Sequence, residues 1–173
     1  MATSFKTLYP VSNADTVAIT ISLNSLATSS TLVAGRESTA VDNRTNLDLD
    51  HLVSGKVKLG TSPTVSTFIE VWAHAPISIA SGTPTYADVL TGADAAATIT
   101  SVNVKQSMFR LLWSTIVDAT TGRVFYMPPT SIALAFGAMP PYWGLWLTHS
   151  TAVNLDASAG GSFNYHRIQQ QGV

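Results

Sequence analysis

Residues 66–75 read Ser-Thr-Phe-Ile-Glu-Val-Trp-Ala-His-Ala, and this stretch decides the fold class. Ile69, Val71 and Ala73 alternate with Phe68, Glu70, Trp72 and His74, a period of two that places them on opposite faces of a strand rather than along a helix. β-Branched and aromatic side chains suit such a pleated surface. Working outward, the same alternation recurs at Val17, Ile19, Ile21 and Leu23, and again at Val53, Val57 and Leu59. Further strands are predicted around 97–104, over 106–117 with Phe109, Leu111 and Trp113 on one face, and at Val124-Phe125-Tyr126, which Pro128-Pro129 should end. Leu145 and Leu147 mark another strand, and Phe163 to Ile168 the last.

Between these runs lie breakers. Residues 24–46, with the short apolar group Leu32-Val33-Ala34, read as a weak strand followed by a long polar loop, of the kind that is usually functional or mobile. Pro76 and the segment 80–86 interrupt the chain, Tyr86 to Leu90 suit a short helical turn, and Asp118 to Gly122 suits a hairpin loop with Gly122 at positive φ. One short helix is expected over 130–138, with Thr130 or Ser131 as N-cap and Gly137 as its stop. Residues 1–14 lack alternation and read as an extended N-terminal arm. About eight strands without crossover helices of βαβ length predict an all-β, single-domain β-sandwich of jelly-roll or Greek-key type over 15–173.

The composition narrows function. The 173 residues carry no cysteine, which excludes a disulfide framework, a thiolate metal site and a cysteine nucleophile. Nine Lys and Arg against ten Asp and Glu give a net charge of −1, so no overall field draws nucleic acid or an anionic membrane, and neither partner is expected. Charged residues are 11% of the chain, less than half the usual share, while Ser and Thr number 41. A surface so poor in charge is weakly protected against association and points to a protein that works packed against neighbours. No run approaches the ~20 apolar residues that span a bilayer. Met1 to Pro10 has one Lys and no apolar core, so no signal peptide is expected and synthesis in a cytoplasm is.

Reactive chemistry is poorly signalled. His51, His74, His149 and His166 form no His-x-His or His-Glu-x-x-His pair, so no metal is expected, and His74 and His166 are read as facing solvent or an interface. Asp48, Asp50 and His51 form the densest polar cluster. A calcium-binding carboxylate pair is one reading of it, and a solvated lead-in to a strand is the favoured one. No Gly-x-Ser-x-Gly elbow is present. Glu37, Glu70 and the aspartates could furnish a carboxylate pair for glycoside hydrolysis, but Glu70 beside Trp72 is more simply a strand residue paired with Arg110 or a backbone donor. Gly55-Lys56 lacks a phosphate-cradling loop, and Asn43-Arg44-Thr45 carries meaning only in a secreted chain. Catalytic, cofactor and metal residues are therefore expected to be none. Trp72 and Trp113 are assigned to the core. Trp143 and Trp146 are candidate interface residues, Trp146 because it points away from Leu145 and Leu147.

From Pro129 onward, Ser131–Gly137, Pro141–Gly144, Leu145–Thr148, Ser150-Thr151-Ala152 and Tyr165–Ile168 together resemble a family of small structural proteins of tailed bacteriophages. The resemblance covers about a quarter of the chain, with Ala152 where a glycine is common. It implies a capsid decoration (cement) protein, a non-enzymatic jelly roll. Such a protein sits on the outer surface of the virion, binds the major capsid protein across capsomers, and is a homo-oligomer with a trimer favoured. The arm then supplies Phe5, Leu8 and Tyr9 as apolar anchors toward a neighbouring subunit. Two other readings stay open: a glycan- or receptor-binding head-fibre or tail module using the tryptophans and the 24–46 and 76–95 loops, and a small cupin-like enzyme.

Overall fold

The computed structural model describes residues 5–8 and 16–172. Two antiparallel sheets form the sandwich. The first contains β1 (Phe5–Leu8), β2 (Thr16–Ile19), β5 (Asp50–Lys58), β11 (Val124–Ser131) and β13 (Gly161–Gly172), in the order β1-β13-β5-β11 with β2 also on β13. The second contains β3 (Ala34–Glu37), β4 (Val41–Asp42), β6 (Phe68–His74), β9 (Ala95–Thr98), β10 (Arg110–Ile116) and β12 (Tyr142–His149), in the order β10-β6-β12-β3-β9 with β4 also on β12. The order β2-β13-β5-β11 facing β3-β12-β6-β10 is the winding of a jelly roll, with every strand pair antiparallel. The all-β sandwich expected from the alternation is the fold. A small hairpin, β7 (Ser78–Ala80) with β8 (Thr83–Thr85), and two helices, α1 (Val102–Met108) and α2 (Ile132–Phe136), complete the described elements.

The alternation sets the core. Val53, Val57, Met127 and Phe163 from the first sheet meet Ile69, Val71, Ala73, Leu145 and Leu147 from the second, all buried. Gly55 permits the close packing of β13 on β5, since a Cβ there would lie 2.3 Å from the Phe163 ring. All eight residues of β12 are buried, which a two-layer sandwich does not explain. The explanation is a third layer. The segment 75–109, inserted between β6 and β10, folds over the outer face of the second sheet and makes a separate apolar cluster of Trp72, Tyr86, Leu90, Ile99, Phe109 and Trp146.

Four local expectations change. The predicted strand over 97–104 stops at Thr98, and residues 102–108 are helical because Ser101 caps them, its Oγ accepting from the Val104 N–H at 3.2 Å. Val102 and Val104 mimic strand alternation there, whereas the helix buries Lys105 and turns Val104 and Met108 to the outer cluster. So the described residues contain two helices, not one. The loop over 24–46 is built around β3 and β4, with Ser29 Oγ accepting from the N–H groups of Val33 and Ala34 at 3.2 and 3.1 Å. β11 runs on through Pro128-Pro129, where the register shifts between Met127 and Thr130, as an edge strand with a bulge allows.

Phe109, Leu111 and Trp113 do not share a face. A bulge between Leu111 and Trp113 leaves Phe109 in the outer cluster, Leu111 exposed and Trp113 against the main core. The expected helix over 130–138 forms as α2, with Ser131 accepting from Leu134 N–H at 2.9 Å and Gly137 left-handed at φ 81°. Of the expected arm, Phe5–Leu8 is described. It is extended as β1 and lies on its own chain's β13, Phe5 opposite Gly172 and Leu8 opposite Gln169. Tyr9 and the side chains of Phe5 and Leu8 lie outside the described residues.

Candidate functional site

The polar cluster at 48–51 is buried, not solvated. β5 turns His51 inward and β12 turns Trp143 inward from the opposite sheet, where the indole Nε1–H donates to His51 Nδ1 at 2.9 Å. Indole nitrogen only donates, so Nδ1 is unprotonated and Nε2 carries the proton, donated to Asp48 Oδ2 at 2.9 Å. Arg167 adds Nε to Oδ2 at 2.7 Å and Nη2 to Oδ1 at 3.1 Å, and Gln169 Nε2 donates to Oδ1 at 2.9 Å. Tyr165 packs its ring 4.4 Å from His51.

Burial holds His51 below the usual histidine range against the pull of Asp48. Burial pushes the Asp48 carboxyl up, but the bonds from Arg167, His51 and Gln169 outweigh it and leave the group below its ordinary value. Both oxygens of Asp48 are thus taken by protein donors, which overturns both the calcium reading and the solvated one. Asp50 caps α2 instead, its Oδ1 accepting from Ala133 N–H at 2.8 Å. The Asp48–His51 pair resembles the orienting half of a catalytic triad, yet its remaining nitrogen is held by Trp143. The network is a strut between the sheets.

A second polar group braces the outer layer. Lys105, buried on α1, donates from Nζ to Glu70 Oε2 and to the Leu32 carbonyl, both at 2.8 Å, with the Trp72 ring 4.9 Å away. Trp72 Nε1 donates to the same Glu70 oxygen at 2.8 Å. Glu70 is therefore paired from the insertion rather than by Arg110, whose Nη1 donates to the Phe109 carbonyl at 3.1 Å.

Beneath the insertion, Glu37 accepts from the N–H groups of Thr91 and Gly92 at 2.9 and 2.7 Å, and burial raises its pKa. His74 does not face solvent: it is 1% exposed, with Nε2 3.6 Å from Glu37 Oε1, and burial holds it down at about 4. Among the described residues the Tyr86 hydroxyl has no hydrogen-bond partner, and the Leu145 backbone pulls the His74 ring up only weakly against its burial. The other two histidines are engaged. His149 Nε2 meets the Leu26 carbonyl at 3.0 Å, and the partly buried His166 pairs through Nδ1 with Thr16 Oγ1, also at 3.0 Å.

Trp143 and Trp146 are both 0% exposed, so neither is an interface residue. The alternation read for Trp146 holds, since it points away from the sandwich core. That direction leads under the 75–109 insertion, where Nε1 reaches the Ala97 carbonyl at 3.4 Å and Phe109 packs 5.5 Å away. With them goes the glycan site that needed exposed tryptophans.

The surface offers other features. β10 is an edge strand with no described strand on its outer side. It has no proline and a single charge, Arg110, and it exposes Leu111 (50%) and Ile116 (63%), with Phe68 exposed directly opposite Ile116. The other outer edges are blunted: β1, β2 and β9 are four residues long each, and β11 carries Pro128-Pro129 and a bulge. Nothing in Arg-Leu-Leu-Trp-Ser marks the bulge that separates Leu111, which stands opposite the outward Trp72, from Trp113, which meets Val71 of the core. Ile116 was within reach, as an apolar residue among Ser114, Thr115 and Asp118. Among the described residues, no three His, Asp or Glu side chains converge as a metal-ligand set. No protein-family model and no curated protein sequence matches this chain.

Proposed function

We propose that this chain is a non-enzymatic structural protein of a tailed-bacteriophage virion that sits on the outer capsid surface. There it stabilises the shell by binding the major capsid protein across capsomers and by associating with further copies of itself, a trimer being favoured. One observation carries the reading: the open edge of β10, with Leu111, Ile116 and Phe68 bared and one charge to guard them. Free monomers blunt such edges with charge, proline or cover, because unpaired N–H and C=O groups beside apolar side chains recruit another chain. A retained edge with no described strand paired on it and apolar side chains bared beside it fits a protein whose working state covers it. Low charge supports the same reading, since close approach then strands few ions without partners. Staying on a shell takes roughly 1,000 Å² or more of contact, so other surfaces must share the load, including the Phe5, Leu8 and Tyr9 segment.

The test is re-addition of purified protein to particles lacking it, followed by co-sedimentation. Wild type is expected to bind saturably, and a Leu111→Lys/Ile116→Lys variant with unchanged thermal stability to lose at least about tenfold in affinity. No binding of wild type, or binding indifferent to the double substitution, overturns the reading. In the first case the function is wrong, and in the second the surface is.

A further inference from the structure

The outer face of the first sheet holds a shallow, open trough of about 370 Å³. The register explains its shape. Tyr126 on β11, Lys56 on β5 and Ser162 on β13 stand directly opposite one another across three strands, so about 10 Å separates the outer two. One step along, Ser54 lies opposite Asn164, which in turn faces Ala18. Short side chains make the floor. Tyr126, 71% exposed, makes a wall, and Pro128-Pro129 bends its strand beside it.

Two facts set this trough apart. The side chains of Ser54, Tyr126, Ser162 and Asn164 make no hydrogen bond to any described group, so their donors and acceptors face outward together. Lys56 is the only described Lys or Arg side chain without a polar partner among the described residues. Six others are ion-paired with acids, and Arg110 donates to a carbonyl. In a protein with 11% charged residues, this places a lone cation beside an exposed aromatic ring, with no carboxylate lining the site.

From this juxtaposition we infer that the trough binds an acidic saccharide. The apolar face of the pyranose lies on Tyr126, its carboxylate meets Lys56, and its hydroxyls exchange hydrogen bonds with Asn164, Ser162 and Ser54. Each group matches by chemistry. An aromatic face accepts C–H surface, an amide offers both a donor and an acceptor, and an ammonium without an internal partner pays no cost of breaking one. The inference is independent of the β10 edge and of the capsid reading.

The experiment is a titration of the full chain, isotope-labelled, with trigalacturonate, 3′-sialyllactose and neutral lactose, followed by NMR shifts. At least one acidic sugar is expected to bind in the millimolar range, moving the signals of Ser54, Lys56, Tyr126 and Asn164. Tyr126→Ala is expected to weaken it about tenfold. Lys56→Gln is expected to abolish the preference for acidic over neutral sugar while leaving folding intact. Both substitutions lie on an exposed face, so unchanged thermal melting checks that the fold survives. Three results overturn the inference: no acidic sugar binding at about 10 mM, binding indifferent to both substitutions, or equal displacement by inorganic phosphate, which marks a plain anion effect. Shielding of Tyr126 in assembled particles without any sugar binding would assign the trough to the shell and also count against it.

Discussion

Trp143→Phe removes one N–H from the strut between the sheets and leaves the His51 Nδ1 lone pair buried without a donor. The lost hydrogen bond is worth about 1 kcal/mol, and the stranded acceptor a further 1–3 kcal/mol. The ring-size reduction adds a cavity at a site that is 0% exposed. A destabilisation of about 2–4 kcal/mol follows, read by urea denaturation at neutral pH with an unchanged denaturant slope.

The effect has a pH signature that a mere cavity lacks. In the wild type, His51 is held below its unfolded pKa, first by burial, so its contribution to stability is full above the unfolded value and is lost as pH falls. Trp143 reinforces this by aiming a proton at Nδ1. Without it, Nδ1 is free to take a proton beside Asp48, the folded pKa rises, and the acid penalty shrinks. The gap between wild type and variant is therefore expected to be smaller at about pH 5 than at about pH 7.5. A cost under about 0.5 kcal/mol, or a gap that does not change with pH, would refute the reasoning.

Further outcomes follow from the same geometry. Gly144→Ala is expected to cost at least about 2 kcal/mol by thermal or chemical denaturation, because the new Cβ would lie 2.5 Å from His74 Nε2 in a fully buried layer. Ala152→Gly is expected to stabilise by about 0.5–1 kcal/mol, since Ala152 is exposed with φ at 64°, a left-handed conformation that penalises a Cβ. His74, held at about 4 by burial, contributes stability above about pH 6.5 that is lost as pH falls through that window. A His74→Phe variant is expected to show a flatter stability profile between about pH 6.5 and 4, and an unaltered slope would contradict this assignment.

How far the sequence reached depends on the layer. Ile69, Val71 and Ala73, Val53 and Val57, and Leu145 and Leu147 alternate cleanly, and their strands and inward faces follow from that alone. Ser131 and Gly137 announce the ends of α2 by cap chemistry. The third layer was illegible, because local pattern tells which way a side chain points and not what comes to cover it. Alternation puts Trp146 and His74 on the outer side of their strands, and both are buried there by the insertion. Asp48 and His51 looked solvated because their partners, Trp143, Arg167 and Gln169, are more than 90 residues away in sequence. The valine spacing at 102 and 104 hid a helix that the Ser101 cap reveals only once the strand before it is known to end.

If the chain works on a shell, the open β10 edge meets another particle there. A cryo-EM reconstruction of the assembled virion tests this directly: it is expected to show the jelly roll on the outer shell, with Leu111, Ile116 and Phe68 covered by a neighbouring chain. A virion without this density, or with the density present and the β10 edge facing solvent, would contradict it.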